Sequence, residues 1–127
     1  MVHLVLPLML AAFLPFALTG ATKIGVFSGR DNHATRNWQA NLTGWRQRAY
    51  WAHQNAFETF PMFAAAAIVA FIATRGDTVT TVTTWLYPAT RAMYSAMYLA
   101  DRASPRSLAW AAGMGCIVVL FIRALMV

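Results

Sequence analysis

The sequence predicts an all-α integral membrane protein, a single domain of four transmembrane helices. Two observations carry this. Of 127 residues, 59% are hydrophobic and only 11% charged, whereas a soluble domain carries roughly 25% charged residues. The apolar residues also fall into four runs, 4–21, 48–74, 79–100 and 107–122, each close to the roughly 20 residues that a helix needs to cross a ~30 Å hydrocarbon core. Together with the connection 22–47 these runs use almost the whole chain, leaving no room for a soluble domain, a repeat or a low-complexity segment.

The first run reads as a membrane helix rather than a secretory signal, since Met1-Val2-His3 offers no basic leader and the apolar stretch is longer than a typical signal core. The net charge of +6 would suggest nucleic acid in a soluble chain, but its placement points elsewhere and no nucleic-acid partner is expected. Lys23, Arg30, Arg36, Arg46 and Arg48 flank the first connection and Arg102 and Arg106 the third, while the opposite face has only Arg75 and Arg123. By the positive-inside rule the first and third connections are cytoplasmic and both termini lie outside.

Connection 22–47 mixes turn formers (Gly25, Gly29, Gly44, Asp31-Asn32) with Trp38 and Trp45. Loops longer than about 15 residues are usually functional or disordered, and tryptophan favours the headgroup level. Two readings stay open: an ordered loop at the membrane surface, or arginines that fix topology and touch anionic membrane lipid.

The second run holds polar residues at membrane depth, where an ionisable side chain costs at least ~2.5 kcal/mol and usually marks function. With successive residues rotated by about 100°, Arg48, Trp51, Asn55, Glu58, Met62 and Val69 share a stripe roughly 80° wide, and His53 points almost the other way. Pro61 frees the carbonyl of Phe57 one turn back, so a bend just after Glu58 is predicted. The third run ends in a second stripe, Arg91, Tyr94, Tyr98 and Asp101-Arg102. Glu58 lies ten residues from Arg48 and Arg91 ten from Asp101, about 15 Å each, so the two charges are expected to meet, directly or through a ligand, within one chain or across a subunit interface. Such a pair either neutralises two buried charges or lines a polar pocket. In the fourth run Ala109, Ala112, Gly113 and Cys116 form a small-residue face for close helix packing. The lone Cys116 allows no disulfide within the chain.

Asn55-x-x-Glu58-x-x-Pro61 followed by Arg91-x-x-Tyr94-x-x-x-Tyr98 closely resembles the MAPEG proteins, membrane-associated proteins in eicosanoid and glutathione metabolism. The resemblance spans nearly the whole chain. The stretch from Phe27-Ser28-Gly29-Arg30-Asp31-Asn32 to Phe57-Glu58 looks most like the family's uncharacterised bacterial branch, hence a bacterial inner membrane. The resemblance implies a homotrimer of left-handed four-helix bundles with glutathione bound between subunits at the cytoplasmic side. Position by position it gives Arg48, Asn55, Glu58, Arg91, Tyr94 and Tyr98 to glutathione binding and makes Arg106 the catalytic cation that favours the thiolate, in a transferase or peroxidase acting on lipophilic small molecules that arrive from the bilayer. Two departures stand out: Trp51 occupies a position where glutathione-using members commonly carry arginine, and Arg106 is offset by one residue, which Pro105 can realign. Two other classes fit the residues alone, a small proton-coupled multidrug-type transporter and a non-catalytic membrane protein in which Glu58 and Arg91 only lock the bundle. The usual transporter glutamate would be in the first run, which has none.

Overall fold

The structure is a computed structural model that describes residues 1–126. Its elements are α1 (Val2–Lys23), a 3-10 turn (Asp31–Ala34), the short α2 (Thr35–Ala40), then α3 (Gly44–Thr74), α4 (Thr78–Leu99) and α5 (Ala103–Leu125). The described residues contain no strand. α1, α3 and α5 are long and apolar enough to cross a membrane. α4 falls short of that apolarity, because five threonines fill its first two turns and Arg91 interrupts its second half. Its polar side chains turn inward: Thr80, Thr84, Arg91, Tyr94 and Ser95 are buried. Several also bond back to their own helix, as Thr84 Oγ1 does to the Thr80 carbonyl at 2.8 Å and Ser95 Oγ to the Arg91 carbonyl at 2.9 Å. A helix whose polar groups are met inside the bundle presents apolar residues outside, here Val82, Trp85, Leu86 and Met93.

α3 packs against α1, α4 and α5, and α4 against α1 and α5, whereas α1 and α5 do not touch. α3 and α4 therefore form the short diagonal of the bundle. The buried face of α3 is nearly all alanine, at positions 49, 52, 56, 66, 67 and 70, and small residues let three neighbours approach closely. Phe63 fills the middle of that face and stacks on Tyr87 with ring centroids 3.8 Å apart, above Leu4, Ala11, Ile117 and Leu120. The opposite face carries Trp51, Glu58, Met62 and Val69, all exposed. The polar stripe legible in the sequence is thus the outward face of α3.

All four long helices begin earlier than their apolar runs, α3 and α5 by a full turn. α3 starts at Gly44, whose positive φ of 60° turns the chain out of the extended Thr43. α5 starts at Ala103, so Pro105 lies in its first turn, where a missing N–H leaves no helical bond unmade. Of the small-residue face expected on α5, Ala109, Gly113 and Cys116 are buried but Ala112, about 100° round the helix from Gly113, is exposed.

The connection between α1 and α3 is ordered. Asp31 Oδ2 accepts from the Ser28 backbone at 2.8 Å and its hydroxyl at 2.7 Å. Phe27 meets Trp38 edge to face at 4.9 Å, Gln39 donates to Thr19 Oγ1 at 2.7 Å, and Arg46 donates to the Ile24 carbonyl at 3.2 Å.

Candidate functional site

Arg91 is the centre of the site. It sits in mid-bundle on the inner face of α4 and is only 2% exposed. Gly113 of α5 makes the room: a Cβ there would lie 3.1 Å from Thr90 Oγ1 and 3.5 Å from Arg91 Cδ. Arg91 Nη2 donates to Asn55 Oδ1 at 2.6 Å, and Asn55 Nδ2 donates to Glu58 Oε2 at 3.3 Å. Asn55 therefore stands between the cation and the carboxylate. The direct Glu58–Arg91 contact is not made within the chain, because Glu58 lies one helical turn round the surface of α3 and is exposed. The amide matches both: its oxygen accepts from the guanidinium and its nitrogen donates to the carboxylate.

A chain of hydroxyls positions Asn55 from behind. Tyr87 Oη donates to Thr59 Oγ1 at 3.0 Å, and Thr59 Oγ1 donates to the Asn55 carbonyl at 3.0 Å. Both residues are absent from the sequence-derived set, although helical spacing marks them: Thr59 is four residues after Asn55 and Tyr87 four before Arg91.

Towards the α4–α5 turn the site continues as a stack. The Arg91 guanidinium lies over the Tyr94 ring at 4.4 Å, Tyr94 meets Tyr98 edge to face at 5.5 Å, and the Arg106 guanidinium lies over Tyr98 at 4.4 Å, within cation–π range. Trp51 flanks Tyr98 with centroids 6.2 Å apart. Two hollows share Asn55, Tyr94 and Tyr98: one of about 390 Å³ that reaches Trp51, Gln54 and Glu58, and one of about 200 Å³ that reaches Arg106, Ser107 and Trp110. The structure thus brings Asn55, Glu58, Tyr94, Tyr98 and Arg106 around two adjoining open hollows, with Arg91 buried behind Asn55 and Tyr94 and lining neither.

Arg48 is not among them. Its Nε and Nη2 both donate to the Leu99 carbonyl at 3.2 Å, and Nη1 lies 3.7 Å from Asp101. It satisfies the carbonyl of the last residue of α4, where a cation also meets the negative end of the helix dipole. His53 faces α1, as its phase predicts. Its Nδ1 is 2.8 Å from the Pro15 carbonyl, which can only accept, so Nδ1 carries the proton. Phe57 packs edge-on against the ring at 5.0 Å.

None of the curated proteins matches this chain. The MAPEG family model matches residues 1–126, essentially its whole length, in keeping with the helices suited to crossing a membrane and with the resemblance carried by the motifs on α3 and α4; the chain is an integral membrane protein that belongs to the MAPEG family.

Proposed function

We propose that this protein is a glutathione-dependent transferase or peroxidase that acts on lipophilic electrophiles. The observation that carries the reading is Arg91: a buried cation held by an amide instead of a carboxylate, directly behind the Asn55 and Tyr94 that line hollows reaching Glu58 and Arg106. MAPEG members generally use glutathione, whose two carboxylates, one ammonium and one thiol match two arginines and one glutamate in charge. Depressions of this size, taken together, fall in the range of small-ligand sites, roughly 300–1,000 Å³.

When bound, glutathione supplies the sulfur nucleophile. Arg91 and Asn55 hold a carboxylate, Glu58 holds the ammonium, and Tyr94 and Tyr98 donate hydroxyls at the wall. Arg106 places its charge near the sulfur and lowers the thiol's pKa from about 8.5, which raises the nucleophilic fraction at neutral pH. Arg48 acts at one remove, by fixing the end of α4. The outward stripe of α3 meets a neighbouring copy in a homotrimer, the assembly common in the family, so that the site closes between subunits. α4 is the fourth crossing of a left-handed bundle in a bacterial inner membrane, with the α1–α3 connection and the α4–α5 turn cytoplasmic and both termini outside.

Titration calorimetry of the purified protein with millimolar glutathione tests the reading. Binding is expected, weakened by Glu58→Gln. The ultraviolet difference spectrum of the ionised thiol is expected in the wild type and lost in Arg106→Leu, with binding affected less. A folded protein that binds no glutathione would mean that Trp51, in place of a cation, has closed the site to it. The orientation is tested by cysteine at Thr78, which should react with an impermeant maleimide in intact cells and not only after lysis.

A further inference from the structure

At the opposite end of the bundle a second cavity, of about 670 Å³, opens between the start of α1 and the α3–α4 turn. Its wall is apolar, built from Leu4 and from Ile68, Phe71 and Ile72 along the last turns of α3. Its mouth is polar and carries Arg75 and His3.

The charges at this end are unequal. Asp77 accepts from the Thr80 backbone N–H at 2.8 Å and pairs with Arg123 of α5, so it is committed elsewhere. The chain's other acidic residues are Asp31, Glu58 and Asp101, none of which lines this cavity. Among the described residues Arg75 forms no salt bridge. It ends α3 in the left-handed region, with φ 55°, a position more often given to glycine. The second polar group is also a donor. Trp85 Nε1 donates to His3 Nδ1 at 3.2 Å, so in the neutral ring Nε2 carries the hydrogen.

A cation and an N–H donor with no acidic side chain among the residues that line the cavity ask for an anion, and the cavity continues from them along Ile68 and Ile72, which is 75% exposed on the flank of a membrane-crossing helix. Only a molecule that is anionic at one end and apolar along its length satisfies both parts. A second copy of the chain would bring to this end only Asp77, already paired with Arg123, and a free anion would leave the apolar wall bare. We propose that this groove is a binding site for one anionic phospholipid, its phosphodiester on Arg75 and His3 Nε2 and an acyl chain along Ile68, Phe71 and Ile72. The site is separate from the hollows beside Arg91 and independent of any reaction there.

Native mass spectrometry of the full-length protein, incubated in detergent with equal amounts of phosphatidylglycerol and phosphatidylcholine, tests it. The wild type should retain phosphatidylglycerol over phosphatidylcholine by about fivefold, the factor expected for one basic residue at an anionic surface. Arg75→Gln should lose the preference, Arg75→Lys should keep most of it, and Ile68→Trp, which fills the groove, should lower retention of the lipid with Arg75 intact. Arg30→Gln, on the far connection, should change nothing. Equal retention of the two lipids by wild type, an unchanged preference in Arg75→Gln, or an equal loss in Arg30→Gln would overturn the proposal. So would displacement of the lipid by excess inorganic phosphate, which would reduce the site to a simple anion pocket.

Discussion

Arg91 and Arg123 lie in the same bundle and are solved differently. Arg123 meets a carboxylate: it pairs with Asp77, which also accepts the Thr80 N–H at the start of α4, with both side chains about a third exposed at 29% and 33%. Arg91 is 2% exposed, far from either helix end, and its terminal nitrogens meet an amide and a tyrosine face. Each arginine leaves its Nε without a partner, so the contrast lies in the terminal nitrogens alone. An arginine that only ties a structure together is best matched by an acid, since removing one member of a buried pair costs several kcal/mol. Holding a buried cation with a neutral amide leaves its charge unmatched, and the carboxylate that could have matched it, Glu58, is displayed on the outer surface instead. The Asp77–Arg123 pair is a fastening; the Asn55–Arg91 pair leaves a buried cation without an acid of its own.

Asn55→Leu should strike hardest. It strips the acceptor from a buried guanidinium and should cost about 3 kcal/mol in a denaturation titration in detergent. Combining it with Arg91→Leu should recover most of that loss, since no buried charge is then left; failure to recover would mean that Asn55 serves packing and not Arg91. Gly113→Val presses on Thr90 and the Arg91 stem and should cost about 1–3 kcal/mol, as overpacking does, with a smaller penalty in the Arg91→Leu background. Tyr87→Phe leaves the stack on Phe63 but removes one hydrogen bond, for about 1 kcal/mol, and should weaken ligand binding more than it lowers stability if Tyr87 and Thr59 position Asn55.

The smallest effect belongs to the fastening. The Thr80 backbone N–H holds the Asp77 carboxyl below its ordinary pKa, helped by the Thr80 side chain and then by Arg123. A depressed carboxyl stabilises the fold above its ordinary pKa of about 3.9 and loses that contribution as pH falls through the lowered value. Thermal unfolding from pH 6 to pH 3 should therefore show a small acid-side loss that Asp77→Asn flattens. Asparagine still caps the helix, so at pH 6 the variant should differ little from wild type. A large loss in Asp77→Asn at pH 6 would erase the contrast between the two arginines.

Much of the fold was legible because periodicity and apolarity are local. The helical positions of all four apolar runs, the opposite phases of His53 and Glu58, and three of the four small residues expected on the α5 seam follow from residues spaced three and four apart. The Asn55/Glu58 and Arg91/Tyr94/Tyr98 motifs likewise stand in the linear chain and carry the family. What did not follow was which way each stripe faces. Glu58 and Arg91 share a depth, yet depth leaves the rotation of each helix free, and α3 turns its alanines inward and Glu58 outward because alanines let three helices close upon it. Arg48 shows the same: spacing puts it on the stripe of Asn55 and Glu58, and the seating of α3 against α4 sets its guanidinium on the Leu99 carbonyl.

The sequence by itself therefore determined a membrane protein of long helices, its family, and the inventory of charged and aromatic groups on α3 and α4, since these depend on composition and on spacing along one helix. Only the tertiary structure decided that Asn55 stands between Arg91 and Glu58, that Gly113 clears the space for Arg91, and that Arg123 has an acid while Arg91 has an amide. Those outcomes depend on how helices that are distant in sequence are rotated and seated against one another, and that is decided by the packing of small against large residues across their contacts, which no single segment contains.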